Sequence, residues 1–271
     1  MPATGNKSFT SFRLSIRLAS DGLSFSVLNT FGGQTVQTDR FPVHAPEEVA
    51  DVLRQALQKP YLMDYHFQSV EVEADTPTTI VPLEHFNRSD MLAYYRLCFP
   101  SNGQWSAADG QRPRVSGGWA MADMHYQIVS SLEIVLVFRL GQGLLNIVQE
   151  CYPDVKVCCS DARMLEHFAA LQEKRPAAAD DGTHSDTSGD RPQCNVYLHV
   201  ARHRFFIAAF RRTGLLYAAS QAAADDDDRA FLVLGIWKAI GLQAQRDTIH
   251  LEGASKQLRK TLSEYILNIE A

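Results

Sequence analysis

At 271 residues, 45% hydrophobic and 21% charged, the chain has the composition of a folded globular protein and room for two domains of ordinary size. Its 26 basic and 31 acidic residues leave a net charge of −5, which argues against nucleic acid as the partner of the whole chain. No apolar run approaches the ~20 residues of a membrane span, and the opening Met1-Pro-Ala-Thr-Gly-Asn-Lys-Ser carries no apolar leader. The expectation is a cytoplasmic protein with no membrane span. Five cysteines, Cys98, Cys151, Cys158, Cys159 and Cys194, include no Cys-x-x-Cys spacing, so neither a disulfide framework nor a zinc site is expected.

Leu14, Ile16 and Leu18 alternate with polar or small residues, Asp21-Gly22 supplies a tight turn, and Leu23, Phe25 and Val27 alternate again. That pattern predicts a β-hairpin. Gly32-Gly33 makes the next turn and residues 35–41 a third antiparallel strand. Pro46 opens a helix whose apolar positions Val49, Val52, Leu53, Ala56 and Leu57 share one face. A strand over 69–73 follows, then a helix capped near Ser89 with Met91, Leu92, Tyr95 and Cys98 on one side.

Residues 101–118 are rich in Gly, Ser, Arg and Pro and predict a long surface loop, with Trp105 as its one anchor. Residues 126–130 predict a strand. Ser131 then caps a helix that carries Leu132, Val135, Leu136, Leu140, Leu144, Ile147, Val148 and Cys151 and ends at Pro153. A strand over 155–159 leads to Asp161, read as the cap of a helix bearing Met164, Leu165 and Phe168. Residues 174–193, KRPAAADDGTHSDTSGDRPQ, contain no large apolar side chain and predict a flexible, dispensable loop.

A shift of 182 residues carries Leu14, Ile16 and Leu18 onto Val196, Leu198 and Val200, and Leu23, Phe25 and Val27 onto Phe205, Ile207 and Ala209. The pattern therefore repeats. A third strand recurs at 215–220, and an apolar helix at 231–240 begins after the acidic run Asp225 to Asp228. A strand at 248–251 and a last helix with Leu258, Leu262, Tyr265, Ile266 and Ile269 complete the second copy, by then about four residues out of register. An internal repeat is more specific than any one of its elements.

The duplicated layout of three strands, helix, strand and helix resembles the ribonuclease-H-like, actin-like ATPase superfamily, in which two such domains face each other across a nucleotide cleft. The stretches LSIRLASDGLSFSV (14–27), FLVLGIWKAIGL (231–242) and DTIHLEG (247–253) are similar to a family of uncharacterised Bacteroidetes proteins, a domain of unknown function with an actin-like fold. More distantly, the layout resembles the cytoplasmic actin-like proteins of type IV pilus assembly. The fold expected is α/β, with duplicated actin-like domains and mixed sheets, divided at 1–160 and 161–271.

The resemblance implies two phosphate loops, each with an Asp on the first strand of a repeat and a Gly just after, so that backbone amides approach phosphate and the carboxylate holds hydrated Mg²⁺. Here Arg17 and Ala19 stand at those places in the first repeat, and His199 and Ala201 in the second. Neither pair suits a Mg²⁺-phosphate site. The adenosine-contacting loop is partly matched by Gly253, which turns the chain, Ser255, which begins a helix, and Lys256.

Other clusters have plainer readings. His199 and His203 are four apart on a strand and its turn, about 13 Å in extended chain, which is too far for a shared metal. Asp225 to Asp228 suits a solvated helix start. Cys158-Cys159 suits the two faces of one strand. Arg202, Arg204, Arg211 and Arg212 form the one basic concentration and predict an exposed edge or partner surface. No Gly-x-Ser-x-Gly elbow, Walker loop or Rossmann fingerprint is present.

These residues point to a non-catalytic actin-like protein, a pseudo-ATPase that serves protein interaction. It has no assigned catalytic or metal-binding residue, expects no cofactor, and leaves its protein partner unknown, a second copy of itself included. The alternative is an ATPase that binds ATP through non-standard contacts in the interdomain cleft, with Arg17, His199, Gly253, Ser255 and Lys256 as its nucleotide-binding residues.

Overall fold

The computed structural model describes residues 12–19, 22–31, 34–63, 65–99, 120–174 and 193–270. The loop expected over 101–118, the loop expected over 174–193 except for Lys174 and Gln193, and the turn residues Asp21, Gly32 and Gly33 lie outside them. Among the described residues no helix is long and apolar enough to cross a membrane.

Strands β1 (Phe12–Ala19), β2 (Gly22–Asn29) and β3 (Thr35–Pro42) form the expected meander. Alternation places Leu14, Ile16, Leu18, Leu23, Phe25 and Val27 on one buried face. Helices α1 (Val49–Leu57) and α2 (Pro60–Met63) lead to β4 (Phe67–Asp75), which runs parallel to β1. After β5 (Thr78–Pro82), α3 (Met91–Cys98), β6 (Met124–Val129), β7 (Ile134–Arg139) and α4 (Gln142–Cys151), strand β8 (Lys156–Cys159) closes the first sheet in the order β3-β2-β1-β4-β8.

Helix α5 (Ser160–Lys174) precedes the second half. That half comprises β9 (Asn195–Val200), β10 (Arg204–Arg211), β11 (Gly214–Ala222), α6 (Asp226–Ala239), β12 (Thr248–Glu252), α7 (Lys256–Ser263) and β13 (Asn268–Glu270). Its sheet, β11-β10-β9-β12-β13, repeats the order of the first. The pairing repeats as well: Leu14 opposes Val27 and Ile16 opposes Phe25, as Val196 opposes Ala209 and Leu198 opposes Ile207. At the parallel strand the offset shortens by three residues, since Val70 lies beside Leu14 and Ile249 beside Val196.

Three expectations are corrected. The single long helix over 132–151 is a strand followed by a helix: β7 is the central strand of a third sheet, β5-β7-β6, and α4 starts only at Gln142. Residues Ile134 to Phe138 are all buried because the two faces of this sheet are both covered, Val137 by the cluster around Met91 and Tyr95, and Leu136 and Phe138 by the main core. A continuous apolar run of this kind loses its period of two and reads equally as helix. The last helix ends at Ser263, so Ile269 belongs to β13. The counterpart of α7 is therefore α4, which precedes β8, and not the helix after Ser89.

The two halves share a core. Ala162, Leu165, Phe168 and Ala169 of α5 join the core of the first sheet, and that core continues into Tyr197, Phe206, Ala208 and Phe210 of the second. Phe168 stacks on Tyr197 with ring centroids 5.1 Å apart. The opposite face of the second sheet, with Val196, Leu198, Phe205, Ile207 and Ala209, packs on Val233 and Trp237 of α6 and Leu258 and Leu262 of α7. Helix α5 thus lies between the sheets. Phe168→Ala should lower the free energy of unfolding in urea by about 3–5 kcal/mol, whereas Leu97→Ala, on the exposed side of α3, should change it by less than about 0.5 kcal/mol.

Candidate functional site

The period of two that buries Val70, Val72 and Ala74 turns Glu71, Glu73 and Asp75 to the opposite face of β4, beside Arg13 and Arg17 of β1. Helix α5 and strand β10 meet this charged face. On one side Arg163 of α5 pairs with Glu71, and with Glu73 at 2.8 Å, while Ser160 donates to Glu73 at 2.8 Å. Arg13 adds a longer pair to Glu71, at 3.8 Å.

At the end of β4 the two halves are joined by ions. Arg204, the first residue of β10, pairs with Asp75 through Nη2 and donates from Nη1 to Asp161 of α5 at 2.7 Å and to Ser220 of β11 at 2.7 Å. Thr78 of β5 donates to the second oxygen of Asp161 at 2.8 Å, and Arg17 pairs with the second oxygen of Asp75. Two guanidinium groups thus meet two carboxylates, and five strands and a helix supply the partners. Asp161 is 1% exposed, and burial raises its pKa against the opposing pull of Arg204. Burial also opposes charge on Arg204, but Asp161 and Asp75 outweigh it and hold the guanidinium firmly protonated.

Several sequence expectations change here. Asp161 is not a helix cap, because its carboxylate turns into the junction between the sheets. Arg204 is not part of an exposed basic edge: Arg202 and Arg212 are exposed, but Arg204 is largely covered by its partners. Arg204 and Arg211 also stand at opposite ends of β10, so the basic concentration in the sequence disperses in space. The acidic run behaves as expected of a helix start, with Asp225 accepting from the amides of Asp227 and Asp228 at 3.0 and 2.9 Å. Cys159 is buried and Cys158 half-buried, with the Cys158 thiol pushed up to about 11 by burial.

The five nucleotide-binding candidates occupy distinct places. Arg17 spends its charge on Asp75. His199 sits at the equivalent position of β9, with Nδ1 3.6 Å from Glu252 of the neighbouring strand, and burial lowers its pKa. Gly253 ends β12 with φ of 72°, and a side chain there would come within 2.6 Å of the Val200 carbonyl oxygen, so a glycine is required for the turn. Ser255 caps α7, accepting from the Leu258 amide at 3.0 Å, and donates to Asp226 of α6. Lys256 opens α7 and lines a groove of about 480 Å³ along that helix, on a surface with Arg259 and Lys260. His199 and Gly253 are thus neighbours, while the known contacts of Arg17 and Ser255 lead to different partners. Asp75, Asp161 and Arg204 are the residues that the sequence reading missed; the alternation Glu71, Glu73, Asp75 along one strand is the signal that could have revealed the acidic face.

Two five-stranded mixed sheets of the same order, with a helix between them, define the fold of the actin-like ATPases. A crystal structure of a Bacteroides thetaiotaomicron protein with actin-like ATPase fold and unknown function aligns over 99% of this chain and 93% of its own, at a TM-score of 0.74 and 20% identity. The PilM-PilN type IV pilus biogenesis complex aligns over 96% and 88%, at 0.47 and 12%. An ethanolamine utilization protein EutJ from Carboxydothermus hydrogenoformans aligns over 96% and 84%, at 0.43 and 7%. No curated protein matches. The family model described as "Protein of unknown function (DUF3822)" matches residues 6–110 and 120–269, and the chain belongs to that family.

Two predictions follow from the junction. Arg204→Met leaves Asp75 and Asp161 short of a buried counter-charge and should cost about 3–5 kcal/mol in urea unfolding; adding Asp161→Asn should recover part of that loss. For His199 the sign is that of a buried neutral base: the unfolded chain binds more protons, so stability falls as pH drops below ~6.5 towards the lowered folded value. His199 therefore contributes a decline in melting temperature between about pH 7 and pH 5, opposed by Asp161, whose raised pKa lets the folded chain bind the extra proton. His199→Gln should flatten that decline in part, with His125, also lowered by burial, accounting for a share of the remainder.

Proposed function

We propose that the protein is a non-catalytic actin-like protein, a pseudo-ATPase whose two lobes are held together by its own ion pairs and whose role is protein interaction. The observation that carries this reading is the charge balance at the junction. At the junction Arg17 and Arg204 pair with Asp75 and Asp161, which occupies the carboxylates that would hold hydrated Mg²⁺ there and the guanidinium groups that would meet phosphate. Ala19 and Ala201 strengthen it, since a Cβ at a phosphate loop keeps the backbone amides away from phosphate oxygens.

Transfer of a phosphoryl group depends on a held metal ion and on donors aimed at the developing charge. Here the groups with the right chemistry are already satisfied by each other. Breaking Arg204 away from two buried carboxylates to admit a nucleotide would cost more than a surface ion pair, because Asp161 would lose its one charged partner here and Asp75 one of two, in a low-dielectric setting. The lobes are accordingly read as a rigid frame with its surfaces available to partners.

The test is a thermal-shift series with ATP, ADP and GTP, each with and without Mg²⁺. A ligand at a hundredfold excess over its Kd stabilises the folded state by about 2.7 kcal/mol, a shift of several degrees for a chain of this size. No shift is expected at millimolar Mg-ATP. A shift abolished by chelation, together with phosphate release that is lost in Arg17→Ala or His199→Ala, would establish the ATPase alternative instead.

A further inference from the structure

Through its middle, between the charged ends, helix α6 is apolar on its outer face as well as its inner one. Its inner face, Ala230, Val233 and Trp237, is buried in the second core. Its outer face carries Phe231, 78% exposed, and the exposed Gly235, with Leu234 half-buried at the edge, where it also packs against the second core. A helix on the surface of a monomer ordinarily turns polar residues outward.

Gly235 makes the face more informative. Glycine is among the least favourable residues for a helix interior, and among the described residues nothing calls for one here. Its backbone is not left-handed, and a Cβ added to it would meet nothing within 4 Å. Among the described residues the space beside Gly235 is open, room in which a second molecule can approach the helix closely.

The charges at the two ends of the face say what that is. Asp227, Phe231, Leu234 and Lys238 follow one another at intervals of four, three and four residues, so they form a single stripe along α6. Asp227 and Lys238 are both exposed. Apposing this stripe to a copy of itself, antiparallel about the midpoint between Leu232 and Val233, sets Phe231 against the partner's Leu234 and Asp227 against the partner's Lys238. The match is self-complementary, as a two-fold interface must be. The ring of the partner's Phe231 then enters the space left by Gly235, and the helix dipoles run in opposite directions.

We propose that two copies of the chain pair through α6, antiparallel, with the apolar stripe at the centre and Asp227–Lys238 pairs at both rims. The pairing names one partner for the interaction role proposed above and rests on that reading in this respect alone. A nucleotide-dependent melting shift would remove the pseudo-ATPase reading and leave the pairing standing.

Sedimentation velocity on the full chain over about 1–200 μM, without nucleotide, tests it. The expected result is a monomer–dimer equilibrium. Gly235→Gln, which has open space in the monomer, should weaken it at least about tenfold; Phe231→Ser should do the same. Asp227→Lys and Lys238→Asp should each weaken it, and the double variant Asp227→Lys/Lys238→Asp should restore it. Thermal melts identify which variants remain folded, and with Gly235→Gln and Phe231→Ser both at exposed positions the test does not hang on one of them. A wild-type monomer throughout the range overturns the proposal. So does a dimer indifferent to Gly235→Gln and Phe231→Ser, which would place the contact elsewhere or reserve α6 for a different protein, and so does a double variant no tighter than the single ones.

Discussion

Asp161 is the constraint on which the rest of the structure turns. A carboxyl group 1% exposed must find charge and hydrogen-bond partners inside the protein, and Arg204 and Thr78 supply them. Arg204 comes from the second half of the chain and Asp161 from the helix between the sheets. The electrostatic requirement of a single buried group therefore fixes how one half sits on the other. Asp75 extends the same logic: it shares Arg204 and takes Arg17 as well, so the end of β1, the end of β4 and the start of β10 are held at one point.

Apolar packing supplies the affinity and the ions supply the register. Phe168, Tyr197 and Phe206 stack in series between the sheets, with Phe168 6.4 Å from Phe206 between centroids. Such contacts are non-directional and would tolerate sliding; a guanidinium that must reach two carboxylates and a hydroxyl at once does not. A buried ionic cluster is a weak source of net stability, but removing one member leaves the others exposed to their full desolvation cost.

The two halves differ in what their equivalent faces do. In the first sheet the face towards α5 is ionic, with Arg13, Arg17, Glu71, Glu73 and Asp75. In the second it is mainly aromatic and apolar, with Tyr197, Phe206, Ala208 and Phe210. Helix α5 accommodates both, through Arg163 on one side and Phe168 on the other. The third sheet, β5-β7-β6, belongs to the first half alone and covers β11 through β5, which gives the second sheet a neighbour that has no counterpart in its own half.

The amino-acid sequence by itself determined the repeated meander, because alternation over Leu14 to Val27 and Val196 to Ala209 is a local pattern that survives with an offset of 182. It also placed Arg17 and Ala19 on the first strand of one repeat and His199 and Ala201 at the same places in the other. It did not distinguish β7 from a helix, since a strand covered on both faces keeps no alternation to read. Nor did it reveal the junction. Asp75, Asp161 and Arg204 are separated by 86 and 43 residues, each unremarkable at its own place as a strand end, a helix start and a turn arginine. Only the tertiary structure brings them within hydrogen-bond reach, because pairing of buried charge depends on distance and local dielectric, and neither is a property of position along the chain.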